Sequence, residues 1–145
     1  MAEPFAELLH LGRGVTRPFR RDGRGDFAVA TGAALVSAAV GQILGTIADS
    51  AVNVGELPWR PDFGSKLHLL RHSPNNEALV ETARVFVIEA VQRWEPRVRI
   101  SNVEISRDET EGSGGNKLTI RLRYAFVELQ TGVAIFEDLE TAVVV

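Results

Sequence analysis

Apolar residues recur at helical spacing in the segment that begins near Ala33. Val36, Val40, Ile43 and Ile47 stand four, three and four positions apart, and this spacing keeps side chains on one face of an α-helix. No charged residue interrupts the stretch, and further apolar residues lie beside these four. The pattern therefore predicts a buried first helix.

A second amphipathic pattern occupies the segment from Leu79 to Trp94, where two neighbouring apolar lines lie opposite a charged side. Ser73 and Asn76 precede it and offer side-chain oxygens that can cap the first turn of a helix. Pro96 follows it, and proline has no backbone N–H to continue the helical hydrogen bonds. These features predict a second helix that ends before Pro96.

The C-terminal third of the chain alternates apolar and polar residues, as half-buried strands do. From Leu118 to Phe126 a large apolar residue stands at every second position. From Val98 to Ile105 the alternation changes phase midway, which predicts one bent strand with a bulge near Ser101–Asn102. A last β-prone run from Val133 to Val145 predicts a further strand.

Two segments have neither period and are rich in glycine. The first, Arg13 to Asp26, also carries several arginines, and its Asp22-Gly23 pair is a good turn, so we predict an arm or an irregular hairpin. The second, Asn53 to Lys66, contains two prolines. Its glycines and prolines forbid a continuous helix, which predicts an ordered loop or a short edge strand.

Together these elements predict an α+β fold, with two main helices packed on a small, mostly antiparallel sheet. The length of 145 residues suits one hydrophobic core and therefore one domain. We divide the chain into an N-terminal arm or hairpin over residues 1–26 and a single domain over residues 27–145.

Composition narrows the classes of function. The chain is 45% hydrophobic and 24% charged, as an ordinary globular protein is. Its net charge of −3 gives no overall basic field, so we expect no nucleic-acid partner. With no cysteine, disulfides and thiolate metal sites are excluded, and we expect a cytoplasmic protein without cofactors.

One uncharged run, Phe27 to Ala48, is long enough to cross a bilayer. Its many glycine, alanine, serine and threonine residues are too small or polar for a convincing transmembrane helix. The first residues, Met1-Ala2-Glu3-Pro4, include an acid where a signal peptide has positive charge. We therefore expect no membrane insertion.

Candidates for catalysis are few. His68 and His72 are four apart, but they lack the glutamate and the third ligand of a helical zinc site. Glu56, Asp62 and Glu95 could supply a carboxylate pair of the glycosidase kind, although each has an arginine or proline close by in the sequence that offers a structural role. The residues favour a protein that is not an enzyme and leave a hydrolase open.

Two motif segments are unusual enough to discriminate between families. They occur with an arm motif, in the order Arg17-Pro18-Phe19-Arg20, Gly55-Glu56-Leu57-Pro58-Trp59-Arg60-Pro61-Asp62-Phe63-Gly64-Ser65, and Trp94-Glu95-Pro96-Arg97-Val98. Their order among the predicted elements resembles the phage baseplate-wedge family often labelled lysozyme-like. Relatives of that family include the type VI secretion baseplate subunit and the sheath initiators of extracellular contractile injection systems.

The resemblance implies a structural baseplate subunit that docks on the wedge around the tail tube and initiates sheath assembly. It implies six copies, wedge proteins and sheath subunits as partners, and assembly into a tail-like particle. In the loop motif it singles out Gly55, Glu56, Arg60, Pro61, Phe63 and Gly64. A peptidoglycan-degrading muramidase associated with such a particle remains the enzymatic alternative, and a generic α+β interaction domain is a third possibility.

The resemblance also implies that the turn formed by Trp94, Glu95, Pro96 and Arg97 docks to wedge neighbours. Pro96 ends the helix and directs the two flanking charges, which could meet a partner or each other. The residues alone favour an intramolecular ion pair, whereas the resemblance favours docking.

The final run ends in valines and leaves backbone groups open to another strand, a liability that proteins usually blunt with charge or proline. We therefore predict β-augmentation by the extended arms of sheath subunits. The alternative is that the run completes the domain's own sheet. The residues assigned to strand addition are Val133, Ile135, Val143, Val144 and Val145.

Overall fold

The computed structural model describes residues 9–16, 19–74, 76–108, 117–126 and 136–144. Within them the chain forms two α-helices, five strands and two short 3-10 helices, and this arrangement confirms the predicted α+β class. In chain order the elements are a 3-10 helix at Leu9–Leu11, β1 Arg13–Val15, β2 Val29–Thr31, α1 Gly32–Gly45, a 3-10 helix at Leu67–Leu70, α2 Glu77–Trp94, β3 Val98–Asp108, β4 Lys117–Phe126 and β5 Phe136–Val144.

Strands β3, β4 and β5 form one antiparallel sheet in that spatial order. The register between β3 and β4 shifts between Ile100 and Asn102, which confirms the bulge expected from the change of phase. The alternation in β4 is also confirmed, because its inward residues are fully or almost fully buried. These inward residues are Leu118, Ile120, Leu122, Tyr124 and Phe126.

Helix α1 contributes Val36, Val40 and Ile43 to the core, as its spacing predicts. The helix ends at Gly45, two residues before the predicted Ile47. At Thr46 the backbone becomes extended, with φ of −93° and ψ of 137°, so the helix ends and the chain turns into the loop. The backbone N–H and the hydroxyl of Thr46 both donate to the Gln42 carbonyl, at 3.0 and 2.7 Å, and so satisfy a carbonyl of the last turn.

Helix α2 begins after Asn76, whose side-chain oxygen accepts a hydrogen bond of 3.0 Å from the Leu79 backbone N–H. It ends at Trp94, two residues before Pro96, as predicted. Neither α1 nor α2, nor any other helix in the described ranges, is long and apolar enough to cross a bilayer. Side chains from both helices, β3, β4 and the short 3-10 helices form one hydrophobic cluster.

Strands β1 and β2 form the predicted hairpin, which continues to Thr31 rather than ending at Asp26. Its inner face lies on α1, since a Cβ at Gly14 would stand 3.0 Å from the Leu35 side chain. The hairpin therefore packs on the domain along one side. Residues 17 and 18 lie outside the described part of the chain, as do 109–116 and 127–135.

Candidate functional site

The two motif segments meet at the C-terminal end of α2. The Phe63 ring packs against the Trp94 indole with ring centroids 5.2 Å apart. The guanidinium carbons of Arg60 and Arg93 lie 4.7 and 4.8 Å from the centre of the Trp94 ring, within the range of a cation–π contact. Trp94 is thus the side chain on which the loop of residues 55–65, here called the motif loop, is seated.

The glycines of the motif loop stand where the backbone approaches itself. A Cβ on Gly55 would overlap the carbonyl of Pro61, and a Cβ on Gly64 would overlap the carbonyl of Thr46. Gly64 also has φ of +118°, a conformation that side-chain-bearing residues rarely adopt. These two positions therefore admit glycine only, which explains why the motif contains them.

The polar groups of the motif loop are used to hold it against the end of α1. The Glu56 backbone N–H donates to the Ile47 carbonyl at 2.8 Å, and the Glu56 carboxylate accepts from the Ile47 N–H at 3.0 Å. Further along, the buried Ser65 hydroxyl donates to the Leu44 carbonyl at 2.9 Å. Asp62 pairs with Arg93 on α2 at 2.9 Å. The loop is consequently fixed at both ends and in the middle.

Glu95 and Arg97 form a two-point ion pair across the turn between α2 and β3. The Nε and Nη2 of Arg97 each donate to a different Glu95 oxygen, both at 2.6 Å. The Glu95 side chain is only 3% exposed, while Arg97 is 32% exposed. Hydrogen bonding to Glu95 raises the pKa of Arg97 above its ordinary value, against the opposing effect of burial, so the guanidinium stays charged.

The same guanidinium reaches the N-terminal segment. The Nη1 of Arg97 donates to the carbonyl of Leu11 at 2.7 Å, and Leu11 itself is buried in the core cluster. Gly12, which follows with φ of +99°, turns the chain into β1. The Glu95–Arg97 pair thus fixes the base of the hairpin to the end of α2.

The intramolecular ion pair that the residues alone favoured is therefore present. Of the four residues assigned to wedge docking, Glu95 is buried, Trp94 and Arg97 are partly buried, and Pro96 is exposed. A partner at this turn would meet Pro96 and the outer part of Arg97. The docking role itself stays a prediction.

Strand β5 pairs along its length with β4, from Phe136 opposite Ala125 to Val144 opposite Lys117. It therefore completes the domain's own sheet, and in the order β3-β4-β5 it also stands at one edge of the described strands. Val143 pairs with Leu118. Of the other residues assigned to strand addition, Val133, Ile135 and Val145 lie outside the described residues. Strand addition stays a prediction.

Two groups of exposed apolar residues were not identified from the sequence. One is in the loop after α1, where Val52, Val54 and Trp59 are exposed, Trp59 to 80%. The other is on the hairpin, where Val15, Phe19, Phe27 and Val29 are exposed. The available signal in the sequence was that these apolar residues lie in segments without helical or strand periodicity. Periodicity is what assigns apolar residues to a core, so these residues were left without a core assignment.

The acids considered for catalysis each have a structural contact: Glu56 with Ile47, Asp62 with Arg93 and Glu95 with Arg97. The histidines and acids in the described ranges, His68 and His72 included, form no group of three that could hold a metal ion. A cavity of about 300 Å³ between the second 3-10 helix and α2 is lined without any carboxylate, histidine, lysine or arginine. A second, of about 90 Å³, lies beside Asp62 and Trp94, well below the size of ordinary ligand sites.

Comparisons with known proteins give a matching family model and several solved structures of similar fold. A family model described as baseplate wedge protein gp25 matches residues 30–130. The baseplate of the anti-feeding prophage, solved by cryo-EM with six-fold symmetry, contains a chain of similar fold with TM-score 0.68 and 20% identity, over 83% of this chain and 90% of that one.

A crystal structure of a Geobacter sulfurreducens protein that carries the name tail lysozyme has TM-score 0.60 and 25% identity, over 81% of this chain and 96% of that one. A chain in the postcontracted pyocin R2 baseplate has TM-score 0.47 and 23% identity, over 87% and 97%. Among curated proteins, none matches the chain.

Proposed function

Because the chain belongs to the family of baseplate wedge protein gp25, a structural component of phage-tail-like contractile injection systems, we propose that it initiates the sheath. In this proposal the protein docks on neighbouring wedge proteins around the tail tube, in six copies, and is assembled into its particle in the cytoplasm. Extended segments of the first sheath subunits then add to the edge of its sheet.

The observation that supports sheath initiation is the position of β5. It pairs on one side with β4, and in the described sheet its other side has no strand beside it. An edge strand presents a row of backbone N–H and C=O groups, and an extended segment of another chain can satisfy them. Strand β5 gives this edge a length of nine residues, and every second residue directs its N–H and C=O groups outward.

A pair of proline variants tests the open edge. Consecutive residues of β5 direct their N–H groups alternately toward β4 and away from it, so Thr141→Pro and Ala142→Pro remove N–H groups on opposite sides. We expect one variant to lose stability. The other should keep its melting temperature and enter baseplates, because proline is tolerated on an outward edge, yet it should not support sheath polymerisation.

Electron microscopy of particles together with thermal melting provides the measurement. The control Thr141→Ala keeps the N–H group and should give sheaths of normal length. Sheaths of normal length on the stable proline variant would show that strand addition at β5 is wrong.

Wedge docking is proposed for the turn formed by Trp94, Glu95, Pro96 and Arg97. The buried Glu95 carboxylate holds Arg97 in one orientation, and the exposed Pro96 stands between them. A turn whose side chains are already fixed loses little conformational entropy when a partner binds. This geometry supports a preformed contact surface.

A bulky residue at the exposed position of this turn tests the docking role. We expect Pro96→Trp to reduce incorporation into baseplates about tenfold or more, because a large side chain at a close-packed contact forces the partners apart. Val85→Trp is the matched control, since Val85 is exposed in the middle of α2. Equal amounts of both variants in purified particles, measured by quantitative mass spectrometry, would contradict docking at this turn.

We also propose that the protein is not an enzyme. The name of the Geobacter sulfurreducens protein is the observation that favours a muramidase. Against it stand the structural contacts of Glu56, Asp62 and Glu95. The direct measurement is turbidity of purified peptidoglycan, which should not clear.

A further inference from the structure

The hairpin presents an outer face of exposed apolar side chains in the described part of the chain. Val15 and Val29 stand directly opposite each other in the β1–β2 register, and both are exposed. Their neighbours Gly14 and Ala30 alternate to the other face, where Gly14 lies against Leu35 of α1. The valine pair therefore points away from the domain.

The apolar face continues toward the tip of the hairpin. Phe27 stands two positions before Val29 on the same side of the chain, and its ring packs on Phe19 at a centroid distance of 5.9 Å. The two phenylalanines remain 62% and 59% exposed, Phe19 the more so. A contiguous group of large exposed apolar side chains is typical of an interaction surface.

The hairpin is also the basic part of an acidic chain. Residues 13–31 contain five arginines and two aspartates, which leaves eleven basic and seventeen acidic side chains on the rest of the protein. Arg13, Arg20, Arg21 and Arg24 are exposed in the described part of the hairpin. The apolar face is thus bordered by positive charge.

The two aspartates of the hairpin are used to shape its tip. The Asp22 carboxylate accepts from the backbone N–H groups of Arg24 and Asp26, at 2.8 and 3.0 Å, and Asp26 accepts from the Phe27 N–H at 2.8 Å. At the base, Arg97 holds Leu11. Because both ends are fixed, binding at the outer face has a low entropic cost.

We infer that the outer face of the hairpin, formed by Val15, Phe19, Phe27 and Val29 and bordered by arginines, docks an acidic, apolar surface of another baseplate protein. Charge complementarity identifies the partner's chemistry, since carboxylates pair with the arginines while apolar side chains cover the valines and phenylalanines. Arginine and aromatic residues together are also the usual composition of binding hot spots.

Two other occupants fit the face less well. Nucleic acid would pair with the arginines but would leave Val15 and Val29 without an apolar partner. A second copy bound symmetrically through the same face would bring two basic hairpins together, and like charges at an interface are unfavourable. The inference rests on the proposed structural role in the baseplate and is independent of strand addition at β5.

Site-specific cross-linking in assembled particles tests the inference. A photo-reactive benzoylphenylalanine replaces Phe27 in the full chain, and the same residue at Val85, which is exposed on α2, serves as control. We expect the probe at position 27 to cross-link one baseplate protein, through a peptide that contains both carboxylates and large apolar residues. Cross-links to a second copy or to nucleic acid, or a yield no higher than that from position 85, would overturn the inference.

Charge reversal provides an independent measurement. Arg20→Glu combined with Arg21→Glu should reduce the amount of the protein in baseplates about tenfold, with no change in melting temperature because both arginines are exposed. The matched control is Arg71→Glu combined with Arg99→Glu, at exposed positions outside the hairpin.

The stage at which assembly fails separates this inference from the sheath proposal. Failure of hairpin docking lowers incorporation into the baseplate, whereas failure at β5 leaves a complete baseplate without sheath. Normal incorporation of the hairpin variant would overturn hairpin docking and leave sheath initiation intact.

Discussion

Arg97→Ala is expected to lower the free energy of unfolding by about 3 kcal/mol at neutral pH, as the loss of one partner of a buried ion pair does. The Glu95 carboxylate, 3% exposed, would lose the charged partner that holds both of its oxygens. The Leu11 carbonyl would lose its donor as well. Urea denaturation of the purified protein measures the change.

Two companion variants separate this mechanism from simple loss of side-chain packing. Arg97→Lys keeps the charge but cannot form the two-point contact, so its loss should be intermediate. Glu95→Ala combined with Arg97→Ala removes the buried charge and should be less destabilised than the sum of the single variants. Strictly additive losses would contradict a coupled pair.

Loss of the Arg97 side chain should also affect the hairpin. Because Arg97 also holds Leu11 at the base of β1, its removal should loosen the hairpin as well as the turn. Hydrogen exchange of the β1 and β2 amides should accelerate in Arg97→Ala, and to a smaller extent in Arg97→Lys. Comparison of Arg97→Ala with Arg97→Lys, which keeps the positive charge, thus reports whether the Arg97 side chain orients both the turn and the hairpin.

Gly64→Ala is expected to be the other strongly destabilising change, by about 2–4 kcal/mol. The new methyl group would overlap the Thr46 carbonyl oxygen, and the residue would have to keep φ of +118°. Neither problem can be relieved by a rotamer change, because both involve backbone atoms. The thermal midpoint of unfolding should fall accordingly.

Gly41→Ala is the matched control for this prediction. Gly41 lies inside α1, and a Cβ there would meet no atom within 4 Å. Alanine is the better helix former, so this variant should gain about 0.5–1 kcal/mol. Equal effects of the two substitutions would show that the close approach of the motif loop to Thr46 does not limit stability.

Changes to the motif loop affect both the stability of the fold and the surface that the loop presents. The two glycine positions and the Glu56–Ile47 hydrogen bonds hold the loop that carries the exposed Trp59. A variant such as Gly64→Ala therefore changes the loop as a whole, and its effect on assembly cannot be assigned to one contact. The exposed positions of the turn and the hairpin are better choices for testing partners, because they leave the core intact.

The sequence by itself determined the elements of the core. The helical spacing of Val36, Val40 and Ile43, the alternation in β4 and the change of phase before Asn102 each predicted what the structure contains. These patterns are local. The spacing of apolar residues within one helix or strand places them on one face, and that face is the one the element buries. The motif segments could also be recognised from the sequence, because their glycines and prolines constrain the backbone over only a few neighbouring residues.

Only the tertiary structure decided how those segments meet. Arg97 and Leu11 are separated by 86 positions, and Asp62 and Arg93 by 31, so no local pattern could pair them. The Glu95–Arg97 ion pair was predictable from the sequence, but the burial of Glu95 was not, because burial depends on how α2, β3 and the N-terminal segment pack together. The apolar face of the hairpin could likewise be identified only from the structure, because the exposure of an apolar side chain depends on how the chain packs and not on its residue type.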